Sequence, residues 1–192
     1  MIALVVLAVA ASIAANSVVQ MALGVGLVVA PGERRGGRFL APAAAMALSG
    51  FLSWPLFAYI LAPFSLGFLE PLLLFPLASL ASVVADRIFS GRDANRGSGS
   101  AYSAFGGLAF GSAWLALRLS SGMLEAAVVS ISCAAGFLGS GFLLDKIRYR
   151  SLIEPVPRAL RGVPLALISA GLLSLLSTFV AAAAFTALGA LR

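Results

Sequence analysis

The run MLEAAVVSISCAAGFLGSGFLL, residues 123–144, is followed at once by the charged run DKIRYR, residues 145–150. The first run carries one charge, Glu125, and is long enough to cross about 30 Å of hydrocarbon as an α-helix. The second run supplies the Lys and Arg residues that typically remain on the cytoplasmic side of a membrane. This junction predicts a transmembrane helix that ends in the cytoplasm.

The same alternation of apolar and charged segments fills the rest of the chain. Hydrophobic residues make up 61% of the 192 positions and charged residues 10%, whereas soluble domains carry about 25% charged residues. The six apolar blocks cover residues 2–30, 39–62, 66–85, 101–117, 123–144 and 163–191. We therefore expect an all-α polytopic membrane protein with six transmembrane helices in one membrane domain, residues 1–192.

The basic residues predict the topology of these helices. Eleven of the 13 Lys and Arg residues fall in the first, third and fifth connections, and the other two are Arg118 and Arg192. Loops one, three and five are therefore expected in the cytoplasm, with both termini on the non-cytoplasmic side. The net charge of +6 is explained by this topology, so the lipid bilayer is the expected surrounding and no nucleic-acid partner is predicted.

The third connection divides the chain into two equal sets of helices. Residues 91–100 form a Gly/Ser-rich cytoplasmic linker between a first half, residues 1–90, and a second half, residues 101–192. Because each half has three spans, the second is inserted upside down relative to the first, which predicts two inverted three-helix repeats. Functional sites in such folds lie where helices are interrupted near the midplane. The glycines of helices one and four fit this interpretation, and close helix packing is the alternative.

Few residues offer chemistry inside the membrane. All seven acidic residues lie in loops or at block edges, and the chain has no His and one Cys, Cys133. Asn16 and Ser17 are the most polar pair well inside a block. They are expected to hydrogen-bond between helices or, alternatively, to line an ion path. A lone buried thiol is usually inert, so we expect no bond chemistry from this chain alone.

Three stretches resemble one family of membrane proteins. Residues 122–137, GMLEAAVVSISCAAGF, are followed by IRYR (147–150), VPRALRG (156–162) and ALISAGLLSL (166–175). NSVVQMALGVG (16–26) and, more weakly, AYSAFGG (101–107) follow the same pattern. These stretches are similar to the RnfA (RsxA) and NqrE subunits of the Rnf/Nqr family of ion-translocating electron-transport complexes.

The resemblance implies a fold, a function and a set of partners. Family members have six helices in two inverted triplets, and they sit in bacterial or archaeal cytoplasmic membranes. Each pairs with an RnfE/NqrD-like paralogue of opposite topology, among other membrane subunits. Their complexes couple electron transfer from ferredoxin or NAD(H) to sodium or proton translocation, and the paired subunits share an intramembrane 2Fe-2S cluster. The expected role is a subunit of such a complex that is not catalytic by itself.

This sequence departs from the family at the cluster ligands. The family's two cysteine positions fall at Gly26 and at either Ser112 or Ala116, depending on the register chosen for helix four. Iron–sulfur clusters need thiolate or, less often, imidazole ligands. We therefore expect no cofactor and no metal bound by this chain.

A segment at the fifth loop is the candidate for subunit docking. It comprises Arg148, Arg150, Pro157, Arg158, Arg161 and Gly162. The alternative interpretation of its arginines is topology-setting charge. The alternative function for the whole chain is a stand-alone small-solute or ion transporter on the same inverted-repeat fold, because the lost ligands weaken the argument for electron transfer.

Overall fold

A computed structural model describes residues 2–14, 16, 39–64, 67–89, 107–153 and 163–189 of the chain. The described residues are helical apart from short turns, and no β-strand occurs among them. Their six α-helices are α1 (Ile2–Val9), α2 (Leu40–Leu56), α3 (Glu70–Phe89), α4 (Gly107–Leu119), α5 (Met123–Ile153) and α6 (Val163–Gly189). Each predicted apolar block thus overlaps one helix, although α3, α4 and α5 end beyond their blocks, and the all-α prediction is confirmed at this level.

Three of these elements are long and apolar enough to cross a membrane. They are Leu40–Leu61, Gly67–Phe89 and Met123–Ile147. Shorter apolar helical stretches cover Leu4–Ile13, Gly107–Leu119 and Leu167–Ala183. The chain is a helical membrane protein by these criteria.

Two helices change pitch at one end. A π-helical turn, Ala10–Ala14, extends α1, and a second, Phe57–Leu61, extends α2. The second follows Pro55, which has no N–H to donate to the preceding turn. A 3₁₀ turn, Gly67–Leu69, then leads into α3. Helix α2 lies at the centre of the bundle and packs against α3, α4 and α5. The main contacts of α6 are with α5 and with the π-helical turn that extends α1.

The fifth helix is longer than the sequence predicts. The apolar block ends at residue 144, but α5 continues through the charged run to Ile153. At 1.5 Å per residue its 31 residues span about 46 Å, well beyond about 30 Å of hydrocarbon. No helix breaker occurs before Pro155, and the residue preceding a proline disfavours the helical conformation. The charged run is therefore the end of a helix, and loop five begins later than predicted.

Small residues fill the interior and large apolar side chains face outward. The buried alanines among the described residues are Ala11, Ala41, Ala43, Ala45, Ala78, Ala81, Ala85, Ala109, Ala113, Ala116, Ala126 and Ala134. Leu72, Phe75 and Leu80 of α3 are each more than half exposed, as are Leu172, Leu175 and Phe179 of α6. Small residues let helix backbones approach closely, and large apolar side chains are stable on a surface that contacts lipid. This distribution is typical of a membrane-embedded helical bundle.

Candidate functional site

A row of buried hydroxyls joins α2 to α4. Ser49, Ser53 and Ser112 are each fully buried, and we call these three residues the serine seam. The Ser49 Oγ lies 2.8 Å from the Ala109 carbonyl oxygen and 3.2 Å from the Ser112 Oγ. The Ser53 Oγ lies on the same side of α2, where it reaches the Ala113 carbonyl oxygen of α4 at 3.2 Å.

Each hydroxyl of the seam can donate in two directions. The Ser112 Oγ reaches the Met46 carbonyl oxygen of α2 and the Ala109 carbonyl oxygen of its own helix, both at 3.0 Å. The Ser49 Oγ likewise reaches the Met46 carbonyl oxygen of its own helix at 3.2 Å. Because a hydroxyl has one proton, it donates to one of these carbonyls at a time. The buried hydroxyls are therefore satisfied without any ligand.

The contacts also give the relative direction of α2 and α4. Ser49 meets Ala109, and Ser53, one turn later, meets Ala113, with a Ser53 Oγ to carbonyl distance of 3.2 Å. Both partners advance by four residues, so the two helices run parallel. When successive spans alternate in direction, the second and the fourth span run the same way. The parallel direction of α2 and α4 is what such a topology predicts.

A glycine brings α5 against the same surface. A Cβ atom added at Gly50 would lie 2.3 Å from the Ser130 Oγ and 3.4 Å from the Ser112 carbonyl oxygen. Ser130 is fully buried and donates to the Ala126 carbonyl oxygen at 2.5 Å. Gly50 is therefore required for the close approach of α2, α4 and α5.

Of the two expected cluster-ligand positions, the one on helix four falls within the described residues, and it lies in this interior. Ser112 and Ala116, the alternatives on helix four, are both fully buried. Ser112 belongs to the seam and hydrogen-bonds to carbonyl oxygens, and Ala116 has no ligating atom. Gly26 lies outside the described residues, as does Ser17.

The polar residue predicted in helix one bridges two helices. Asn16 is buried, and its Nδ2 donates to the Gly136 carbonyl oxygen of α5 at 3.0 Å and to the Ser12 carbonyl oxygen at 3.2 Å. A Cβ atom at Gly136 would lie 2.4 Å from that same Ser12 oxygen. The geometry is that of an interhelical hydrogen bond at a close backbone contact.

One acidic residue points into the bundle, which the sequence reasoning missed. Glu70 stands at a block edge in the sequence, but its side chain is only 12% exposed. Its Oε2 lies 3.8 Å from Nη2 of Arg118 on α4, and its Oε1 is buried with no hydrogen-bond partner among the described residues. The available signal was the presence of one acid and one base at the same end of neighbouring spans.

The remaining predicted residues are separated from this interior. Arg148 and Arg150 lie in the last turns of α5, where Arg150 is exposed, and Pro157, Arg158, Arg161 and Gly162 lie outside the described residues. Cys133 is fully buried in α5, with its Sγ 3.8 Å from the Ala11 carbonyl oxygen. The thiol therefore packs against the π-helical turn that extends α1.

No protein-family model matches the chain, and no curated protein is found to be similar to it.

Proposed function

We propose that the chain is an integral membrane subunit of an Rnf/Nqr-type complex that couples electron transfer to sodium or proton translocation. Its six helices would form two inverted triplets in a bacterial or archaeal cytoplasmic membrane, with loops one, three and five in the cytoplasm. Its partners would be other membrane subunits, including an RnfE/NqrD-like paralogue of opposite topology.

The observation that carries this proposal is the ordered set of motifs between residues 122 and 175. The first motif lies in α5, the IRYR motif occupies its last turns, and α6 begins at Val163, directly after the VPRALRG motif. A helix, a charged exit within that helix and a second helix therefore follow one another in the order that the resemblance requires, and the VPRALRG motif itself lies outside the described residues. The parallel direction of α2 and α4 agrees with the alternating topology that the positive charges predict.

The proposed subunit contributes no cluster ligand. Its helix-four positions hold a hydroxyl and a methyl group, neither of which replaces a thiolate in an iron–sulfur cluster. Electrons would therefore pass through other subunits. This chain would shape the interface between helices and the ion path, with polar groups such as Asn16 and the serine seam lying inside the bundle.

Co-purification tests the proposal directly. An affinity-tagged copy, expressed in its native host and extracted in mild detergent, should bring down several membrane proteins, including a six-helix paralogue and a flavin-bearing subunit. Recovery of the chain alone, as a monomer or homo-oligomer, would refute the proposal and favour the stand-alone transporter.

Iron analysis of the same preparation tests the cofactor prediction separately. If the cluster ligands are absent, a pair formed by this chain and its paralogue should hold no more iron than the paralogue's own cysteines can ligate. Iron content should then be unchanged when Ser112 is replaced by alanine. Loss of iron or of visible absorbance in the Ser112→Ala variant would contradict the prediction.

A further inference from the structure

The outward face of α5 passes from apolar to cationic near its C-terminal end. Ile131, Phe142 and Leu143 lie on this face, with exposed fractions of 64%, 46% and 45%. Residues four apart share one face of a helix, so Lys146 and Arg150 follow Phe142 in the same row, and both are exposed. We call these two residues the cation pair. The surface of α5 that contacts lipid therefore ends in two positive charges.

The cation pair lies at the depth of lipid headgroups. The apolar block of α5 ends at Leu144, and Lys146 and Arg150 follow about 3 and 9 Å further along the helix axis. The headgroup layer extends about 5–8 Å beyond the hydrocarbon on each side of a bilayer. Helical side chains tilt toward the N-terminus of their helix, which at this end of α5 is toward the bilayer. Tyr149 is 47% exposed on the same face, and tyrosine is enriched at the membrane interface.

The acidic residue in the helical extension, residues 145–153, is not placed to neutralise the pair. Lys146 and Arg150 have Cβ atoms about 5–6 Å apart, and like charges at this spacing repel each other. Asp145 has Arg148 and Tyr149 as its neighbours three and four residues on, and these are not the pair. Among the described residues the salt bridge found is on the other side of the bundle, at Arg118. An anion from outside the chain would relieve the repulsion.

We propose that Lys146 and Arg150 bind the phosphate of an anionic phospholipid in the leaflet where α5 ends. Guanidinium and ammonium groups donate charge-assisted hydrogen bonds to phosphate oxygens, and the acyl chains would lie against Phe142 and Leu143. Phosphatidylglycerol has a net negative charge and suits two cations, whereas phosphatidylethanolamine carries an ammonium group that the pair repels.

The surroundings of the pair favour a lipid over a water-soluble anion. The cations continue a face that is apolar and exposed over the hydrocarbon, so a ligand with both a phosphate and acyl chains covers the whole face. In the proposed topology this is the cytoplasmic leaflet, whose negative surface attracts basic residues close to a transmembrane helix. Binding does not depend on a role in electron transfer and can be measured on the purified chain.

Native mass spectrometry of the chain in mild detergent tests the proposal. Phosphatidylglycerol and phosphatidylethanolamine with the same acyl chains are titrated separately, and the fraction of protein with one lipid bound is measured. Wild type should bind phosphatidylglycerol more tightly. Lys146→Gln and Arg150→Gln should each weaken that binding about fivefold and leave phosphatidylethanolamine binding unchanged. Arg150→Lys keeps the charge and should keep the preference.

The matched control is Arg87→Gln. Arg87 is an exposed arginine in the last turn of α3, directly after Asp86, and in the proposed topology it lies at the same membrane surface. Its replacement removes the same charge outside the pair and should leave phosphatidylglycerol binding as in wild type. Each variant removes one of 13 basic residues from an exposed position, so an unchanged far-UV circular dichroism spectrum is expected for all of them.

Three results would overturn the proposal. The first is equal binding of the two lipids by wild type, and the second is an equal loss of phosphatidylglycerol binding in Arg87→Gln and Arg150→Gln. The third is an unchanged lipid preference in Arg150→Gln together with loss of a co-purified membrane subunit, which would make the pair a subunit contact. The co-purification of wild type is unaffected by the first two, so failure of the lipid site and failure of the proposed function are distinguishable.

Discussion

Replacing Gly136 by alanine should disrupt the contact between α1 and α5. A methyl group at this position would lie 2.4 Å from the Ser12 carbonyl oxygen and 3.2 Å from the Asn16 Nδ2. The first of these atoms belongs to the backbone, so no side-chain rotation can remove the overlap. The helices must separate, and the hydrogen bond from Asn16 to the Gly136 carbonyl oxygen then lengthens or breaks.

The expected size follows from three contributions. Overpacking of a well-packed contact costs about 1–3 kcal/mol, and loss of one buried hydrogen bond costs about 0.5–1.5 kcal/mol. The higher helix propensity of alanine returns about 1 kcal/mol. Gly136→Ala should therefore lower the free energy of unfolding by about 2 kcal/mol.

A matched control lies three residues further along the same helix. Nothing lies within 4 Å of a Cβ atom built on Gly139, so Gly139→Ala should leave stability unchanged or raise it by up to about 1 kcal/mol. Both variants can be compared by unfolding detergent-solubilised protein with sodium dodecyl sulfate and following tryptophan fluorescence. If the two variants unfold at the same sodium dodecyl sulfate fraction, or if Gly139→Ala is the less stable, the close contact at Gly136 is wrong.

Three further predictions concern other parts of the bundle. In a double-mutant cycle, Ser49→Ala and Ser112→Ala should couple by about 0.6 kcal/mol in unfolding free energy, and strict additivity would contradict their contact at 3.2 Å. Cys133 is fully buried and should react with a membrane-permeant maleimide only after denaturation, as mass spectrometry would show. Glu125→Ala removes the acceptor for the Ser121 N–H and Oγ, both at 2.8 Å. It should lower stability slightly, because these hydrogen bonds hold the start of α5, whereas Glu125→Gln should retain most of that contribution.

The existence of the helices could be predicted from sequence, but not all of their ends. Hydropathy identified every apolar block because lipid requires long uncharged helices. The end of α5 was misplaced because hydropathy marks where the hydrocarbon ends and not where the backbone stops being helical. Lys146 and Arg150 are compatible with a helix in water, and Pro155 is the first residue that ends it.

The glycines of α5 show what a spacing pattern leaves undetermined. Gly136, Gly139 and Gly141 together predict a packing face. In the structure Gly136 contacts the α1 backbone and a Cβ atom on Gly141 would meet the Phe39 ring at 3.4 Å, but Gly139 faces open space. The spacing of the three glycines does not show which of them contacts another helix, because that depends on where the other helices lie.

The orientation of Glu70 was likewise hidden. In the sequence Glu70 is a charged residue at the boundary of an apolar block, and the side chain of such a residue is usually exposed to water. Its inward direction depends on the rotation of α3 about its axis and on the partner helices α2 and α4. Ser49 and Ser53 were missed for the same reason, since their carbonyl partners Ala109 and Ala113 are 60 residues away.

The serine seam crosses between the two halves of the chain, with α2 from the first half and α4 from the second. Ser49 and Ser53 also reach carbonyl oxygens of their own helix, at Met46 and Gly50. The first half can therefore enter the membrane with these hydroxyls satisfied, as insertion into lipid requires. When α4 packs against α2, an intrahelical hydrogen bond of each hydroxyl is exchanged for an interhelical one. This exchange contributes little to the free energy of helix association. The association of α2 with α4 must then come mainly from close packing at Gly50 and the buried alanines, while the hydroxyls fix the register.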